Sequence, residues 1–279
     1  MNAENSCNSN LLRLLPAVLR AREFHLYLED GRRLTDLWQI GGKAVLGHKP
    51  PRIVSELKNA AERGLFAPFP HPAEQRFLKA LTKLFINDEN CSYSFRIYEN
   101  KPSLERALEK ANLSILLNEE IAVWRPFSGK KNPSSQLSTP VLPWAFSPAV
   151  LAIQTNGNSL NEKIPPGDLL SPAILAPATR AVYDLLAAGE HDGRPRYPRI
   201  EKALAKSAWS RSGIYLTNPE AGADWPVIWN RFLEQGFLLP PCPAEPLILP
   251  GILSPGEEAK LAELLTVKNF QPVQSDFKI

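Results

Sequence analysis

The sequence is poor in the residues that would announce a metal centre, a disulfide framework or a membrane span. Its three cysteines, Cys7, Cys91 and Cys242, stand far apart in 279 residues and form no Cys-x-x-Cys pair. That pattern argues for reduced thiols in a cytoplasmic protein rather than a disulfide scaffold or a structural zinc site. The four histidines, His25, His48, His71 and His191, are equally scattered, with no His-x-x-x-His spacing, so no metal site is expected. No apolar run approaches the ~20 residues that a membrane helix needs. The opening Met1 to Ser6 has neither a basic start nor an apolar core and does not read as a signal peptide. Net charge is only +3, from 32 basic and 29 acidic residues, which leaves no electrostatic case for nucleic acid or a membrane surface as a partner. Gly-x-Ser-x-Gly, P-loop and Gly-x-Gly-x-x-Gly patterns are missing as well. The remainder, 44% hydrophobic and 22% charged, is an ordinary globular composition, long enough for one large or two modest domains.

What the chain does have is proline. Its 27 prolines are nearly twice the usual ~5% and cluster in the middle and late chain, predicting many short connections there. The most legible stretch runs from Leu28 to Gly64. Asp30-Gly31, flanked by Phe24 to Leu28 and Arg33 to Ile40, predicts a hairpin, because both turn residues tolerate positive φ. Gly41, Gly42 and Gly47 allow tight turns, and Pro50-Pro51 can open a helix but not lie inside one. Ile53, Val54, Leu57, Ala60 and Ala61 then share one helical face, with Gly64 as the stop.

Elsewhere the periodicity predicts a helix through Leu11, Leu12, Leu14, Leu15, Val18 and Leu19, another from Pro72 to Phe85, and one from Leu104 to Leu116. Strands are expected at Tyr93 to Tyr98, Ile121 to Trp124 and Val150 to Gln154. Residues 128 to 140 read as a polar linker. Ser171-Pro172 reads as a capped helix start, with Pro177 forcing a kink or a late beginning. Residues 191 to 198 read as a domain linker. Helices over 201 to 208 and 225 to 235, strands at Gly213 to Leu216 and Phe237 to Leu239, and a final helix opened by the capping box Ser254-Pro-Gly-Glu257 complete the chain. Trp209, Trp225 and Trp229 read as core or interface anchors.

The run Asp30-Gly31 to Asp36, then Gly41-Gly42, then Leu46-Gly47-His48-x-Pro50, then a helix ending Glu62-Arg63-Gly64, resembles the N-terminal part of class III aminotransferases, in particular the glutamate-1-semialdehyde aminomutase branch. Ser171 to Leu186 looks like the helix that follows the lysine strand in those enzymes. Arg231 to Pro241, Pro250 to Glu257 and Leu261 to Leu265 are similar to their C-terminal small domain. The resemblance implies a fold type I pyridoxal-phosphate transferase, built as a homodimer. It also implies that Trp38, Gly41, Gly42, Lys43 and His48 border a substrate cleft.

The same resemblance says what chemistry to look for. Such an enzyme needs a Schiff-base lysine, an acid against the pyridinium nitrogen and donors around the phosphate. The turn after Tyr98 is Glu99-Asn-Lys-Pro-Ser103, without glycine; Asn100, Lys101 and Ser103 form at best a weak anion site, opposed by Glu99. No apolar strand ends in Asp-Glu-Val, and no Thr-x-x-Lys-x-x-Gly-Gly-x-Pro occurs. Lys163 is the runner-up catalytic lysine, in a polar crossing beside Glu162, and Lys43 is a further candidate. The expectation is therefore an α/β protein with a reduced large domain, a sheet flanked by helices, plus a small α+β domain. Its boundaries are 1–70 (N-terminal helix and hairpin, joining the small domain), 71–190 (reduced large domain) and 191–279 (small domain). The expected role is that of a non-catalytic descendant that binds a protein partner or a small molecule and takes no cofactor. The alternative is an active pyridoxal-phosphate aminotransferase or aminomutase with an unrecognised lysine.

Overall fold

The computed structural model describes residues 10–85, 92–113, 121–129, 135–155, 160–190, 197–219, 222 and 224–266. Cys7, Cys91 and His191, and most of the expected linker at 191–198, lie outside them. The chain divides into two compact units, one made of residues 1–41 with 194–279 and the other of residues 42–193.

The first unit is assembled from both ends of the sequence. Strands β1 (Val18–Arg22), β2 (His25–Leu28) and β3 (Arg33–Asp36) form an antiparallel meander, and β10 (Phe237–Leu238) adds parallel to β3 with Phe237 opposite Thr35. The predicted hairpin is formed. Gly31 adopts φ +83°, and Asp30 accepts the Arg32 amide at 3.0 Å. The apolar run from Leu11, however, is not a helix. It makes a short 3-10 turn at Leu11–Leu14 and then β1, because Pro16 drives Leu15 into extended backbone (ψ 139°). Only Leu11 of that run is buried, while Leu14, Val18 and Leu19 are exposed.

A small antiparallel sheet joins β8 (Ser210–Ser212), β9 (Tyr215–Thr217) and β11 (Leu247–Ile248). Trp225, Trp229 and Phe232 on the helix Trp225–Glu234 fill the core, and the indoles donate to the Pro240 and Leu239 carbonyls at 3.0 and 3.1 Å. The tryptophans are thus core anchors with their polar atoms satisfied.

The last helix, Pro255–Thr266, opens on the predicted capping box: the Glu257 amide donates to Ser254 Oγ (3.2 Å) and the Ser254 amide to Glu257 Oε2 (2.8 Å). The sequence pattern did not foretell the other oxygen's role. Glu257 Oε1 receives His25 Nε2 at 2.9 Å, Arg33 Nη2 at 3.0 Å and Thr35 Oγ1 at 3.0 Å, tying the final helix to the N-terminal meander. Burial pushes the pKa of this carboxyl up, but bonds from Ser254, His25 and Thr35 outweigh it and hold the pKa at about 2.

The second unit is a three-layer sandwich. Its sheet runs β4–β7–β6–β5, from β4 (Tyr93–Tyr98), β5 (Ile121–Trp124), β6 (Leu137–Pro140) and β7 (Ala149–Gln154). β7 is antiparallel to both neighbours, and β5 and β6 are parallel. Val150 and Ala152 of β7 face helices α1 (Pro51–Glu62), α2 (Ala73–Phe85) and α5 (Pro172–Glu190). Leu151 and Ile153 face α3 (Lys101–Lys110) on the other side. Both faces of one strand are therefore dry, as the two-residue alternation of side chains requires.

The end of α1 is a Schellman cap: Gly64, at φ +68°, donates to Ala61 and Leu65 to Ala60. α3 begins at Lys101 rather than Leu104, since Asn100 caps it, and α5 begins at Pro172 rather than Pro177, with Ser171 Oγ accepting the Ala173 amide at 3.1 Å. β6 lies inside the stretch expected to be linker. Its Leu137 and Ser138 are fully buried between two neighbouring strands. A short helix, α4 (Leu160–Lys163), precedes α5.

Candidate functional site

Two places in the fold bear on chemistry. The first is the glycine turn after β3. Asp36, buried, accepts the amides of Trp38 (2.8 Å) and Gln39 (2.9 Å), and Gln39 reaches the Ile248 carbonyl at 3.0 Å. The backbone then stays left-handed for four residues: Gln39 (φ 48°), Ile40 (53°), Gly41 (65°) and Gly42 (103°). At the two non-glycine positions this conformation costs ~1–2 kcal/mol each. Gln39 Oε1 is buried with no hydrogen-bond partner among the described residues. Trp38 Nε1 donates to Glu245 Oε2 at 2.7 Å.

Of the expected cleft residues, Trp38 and Gly41 fall in the first unit and Gly42, Lys43 and His48 in the second. Lys43 is half-buried, and loss of hydration pushes its ammonium pKa below the usual lysine value.

The second place is the turn between β4 and α3. Asn100 Oδ1 accepts the Ser103 amide at 2.9 Å, Pro102 has no amide, and the Glu99 amide donates to Asp168 Oδ2 at 2.9 Å. Lys101 is exposed, 3.5 Å from Glu105. The segment before α5 lies along β4: the Asp168 amide donates to the Ile97 carbonyl at 2.7 Å and Tyr98 to that of Pro165 at 3.0 Å. Gly167 is pressed so closely there that a Cβ would stand 2.3 Å from the Ile97 oxygen. Asp168 is the residue that sequence reasoning missed, since nothing local ties it to a turn 69 residues earlier.

Lys163 ends α4, exposed to solvent. The connection from β6 to β7, residues 141–148, contains no lysine, and Arg125 rather than an acid follows β5. Among the described residues no group of three or more histidine, cysteine or carboxylate side chains could hold a metal, and no helix is long and apolar enough to cross a membrane.

Comparisons with known proteins place this geometry. No family model matches the sequence. An uncharacterized protein of Treponema pallidum is 25% identical over 292 residues, covering 87% of this chain and 91% of the relative. Ornithine delta-aminotransferase of Plasmodium falciparum superposes with a TM-score of 0.65 at 11% identity, covering 90% of this chain and 92% of that one. A structure described as a transaminase with PLP bound gives 0.64 at 10% identity, covering 94% and 95%. At such identities the likeness concerns architecture, and the chain has the α/β fold of the fold type I pyridoxal-phosphate transferases.

Proposed function

We propose that this chain is a non-catalytic protein of class III aminotransferase descent, a cytoplasmic homodimer that binds a small ligand or a protein partner instead of turning over an amino acid. The observation that carries the reading is the β4–α3 turn, where the resembled enzymes hold the cofactor phosphate. Here the Glu99 and Ser103 amides are committed to Asp168 and Asn100, Pro102 has none to give, and Glu99 and Asp168 set two carboxylates beside the turn. These residues do not fit a phosphate dianion, whose binding at a helix start depends on uncommitted amides and a favourable field. Lys163 does not fit an activated nucleophile, because an exposed amine remains hydrated and protonated.

One observation favours the second reading, an active pyridoxal-phosphate aminotransferase or aminomutase. Lys43 is half-buried and its ammonium is destabilised by desolvation, the condition under which a lysine becomes nucleophilic. One experiment separates the two. The purified protein is mixed with pyridoxal phosphate, scanned for a visible band, reduced with borohydride and mapped by peptide mass. The expected result is no band and no labelled peptide; a label on the peptide carrying Lys43 would establish the second reading.

A further inference from the structure

On the helical face of the second unit lies a cavity of about 260 Å³, walled by the end of α1, the connection to α2, the start of α2 and the first half of α5. None of the candidate cleft, anion-site or catalytic-lysine residues weighed above lines it. Its charged lining is mostly cationic: Arg63, Arg76 and Arg180 against one carboxylate, Glu56, with His71 and Asn59 as neutral polar neighbours. Arg180 is neutralised by Asp184, which accepts its Nε at 2.9 Å. Arg63 and Arg76 have no ion-pair partner among the described residues.

The arginines differ in what the fold alone explains. Arg63 follows the last turn of α1, where the helix dipole favours a cation whether or not anything binds. Arg76 sits in the first turn of α2, the end at which the same dipole disfavours a cation. The helix gives it no stabilisation there, and its guanidinium lines the cavity. The amides that begin α2 add nothing to a ligand, since those of Ala73, Glu74 and Arg76 already donate to His71 Nδ1, His71 O and Pro72 O. The first of these bonds puts the proton of a neutral His71 ring on Nε2, making that atom a donor.

We propose that this cavity is a binding site for a small organic anion, a carboxylate or phosphate held by the guanidinium groups of Arg63 and Arg76 with His71 Nε2–H as a third donor, and that Glu56 selects ligands bearing an amine or hydroxyl opposite the anion. Planar guanidinium forks match carboxylate and phosphate oxygens in pairs. The volume lies just below the ~300 Å³ at which ordinary ligand pockets begin, which limits the ligand to a compact molecule. The inference does not rest on the non-catalytic reading, because the labelling experiment above tests a lysine and this one tests arginines.

The test is calorimetric titration of the full chain with three probes: inorganic phosphate, glutarate and glutamate. Binding of at least one probe in the millimolar range or tighter, weakening as salt is raised, is expected, with glutamate tighter than glutarate if Glu56 reads the ammonium. Arg63→Ala and Arg76→Ala should each weaken it about tenfold, as loss of one charge-assisted bond of about 1.5 kcal/mol requires. Both side chains are exposed, so circular dichroism should show the variants folded. Arg106→Ala, on α3 across the sheet, should change nothing. Absence of binding by all three probes overturns the proposal. So does equal weakening by Arg106→Ala, which would move the anion to the start of α3.

Discussion

Replacing Glu257 by Gln tests the tie between the two ends of the chain. In the folded protein the carboxylate receives His25, Arg33 and Thr35 on one oxygen and the Ser254 amide on the other. Its side chain is 15% exposed, so solvent screening is limited. The fall of this carboxyl's pKa from 4.5 to about 2 is worth about 3 kcal/mol. A depressed folded value means that this stabilisation is fully present above pH 4.5 and drains away as pH falls toward 2. Glu257→Gln removes the charge and keeps the shape. At pH 7 the variant should therefore unfold with about 3 kcal/mol less stability; the gap should narrow to about half of that near pH ~3 and close only below pH ~2. Urea denaturation followed by tryptophan fluorescence registers the first unit through buried Trp209, Trp225 and Trp229, alongside Trp124 and Trp144 of the second. A constant difference between variant and parent from pH 7 to pH 2 would refute the argument, for it would mean that the charge state of Glu257 does not matter to folding.

Three further substitutions probe the turns. Gly167→Ala drives a methyl group against the Ile97 carbonyl and should destabilise the second unit by about 3 kcal/mol, seen as a lowered melting temperature; an unchanged melting temperature would show that the backbone yields there. Ile40→Gly relieves a left-handed β-branched residue, but the relief of about 1 kcal/mol left after glycine's extra chain entropy is offset by loss of a half-buried side chain, so the melting temperature should move by no more than a few degrees. Asn100→Ala removes the cap of α3 and should cost about 1 kcal/mol in thermal unfolding.

The fold was legible where structure is local. Asp30-Gly31, Pro51 to Gly64 and Ser254 to Glu257 each carry turn, helix or cap chemistry within a few residues, and each forms as its sequence predicts. The strands β6 and β11 escaped detection because they are short and held by partners outside their own stretch: Ser138 by Ala152, Leu247 by Leu216. The apolar spacing from Leu11 to Leu19 pointed to a helix, and Pro16 overrode it. The sites were less legible still. Asp168 meets Glu99, and Arg63 and Arg76 share a cavity with Arg180, only because the chain has folded. No spacing in one dimension marks residues brought together that way. The likeness to aminotransferases, by contrast, could be read from motifs at the two ends of the sequence, and the architecture agrees with it.

The pairing of β3 with β10 sets an order of events during synthesis. Thr35 meets Phe237, so about 200 residues must be made before the meander gains its fourth strand, which takes ~10–40 s at ~5–20 residues per second. The second unit is continuous in sequence and has no such wait. Through that interval one side of β3 stands open, a row of unpaired backbone groups that stays available to a neighbouring chain until Phe237 and Leu238 are made.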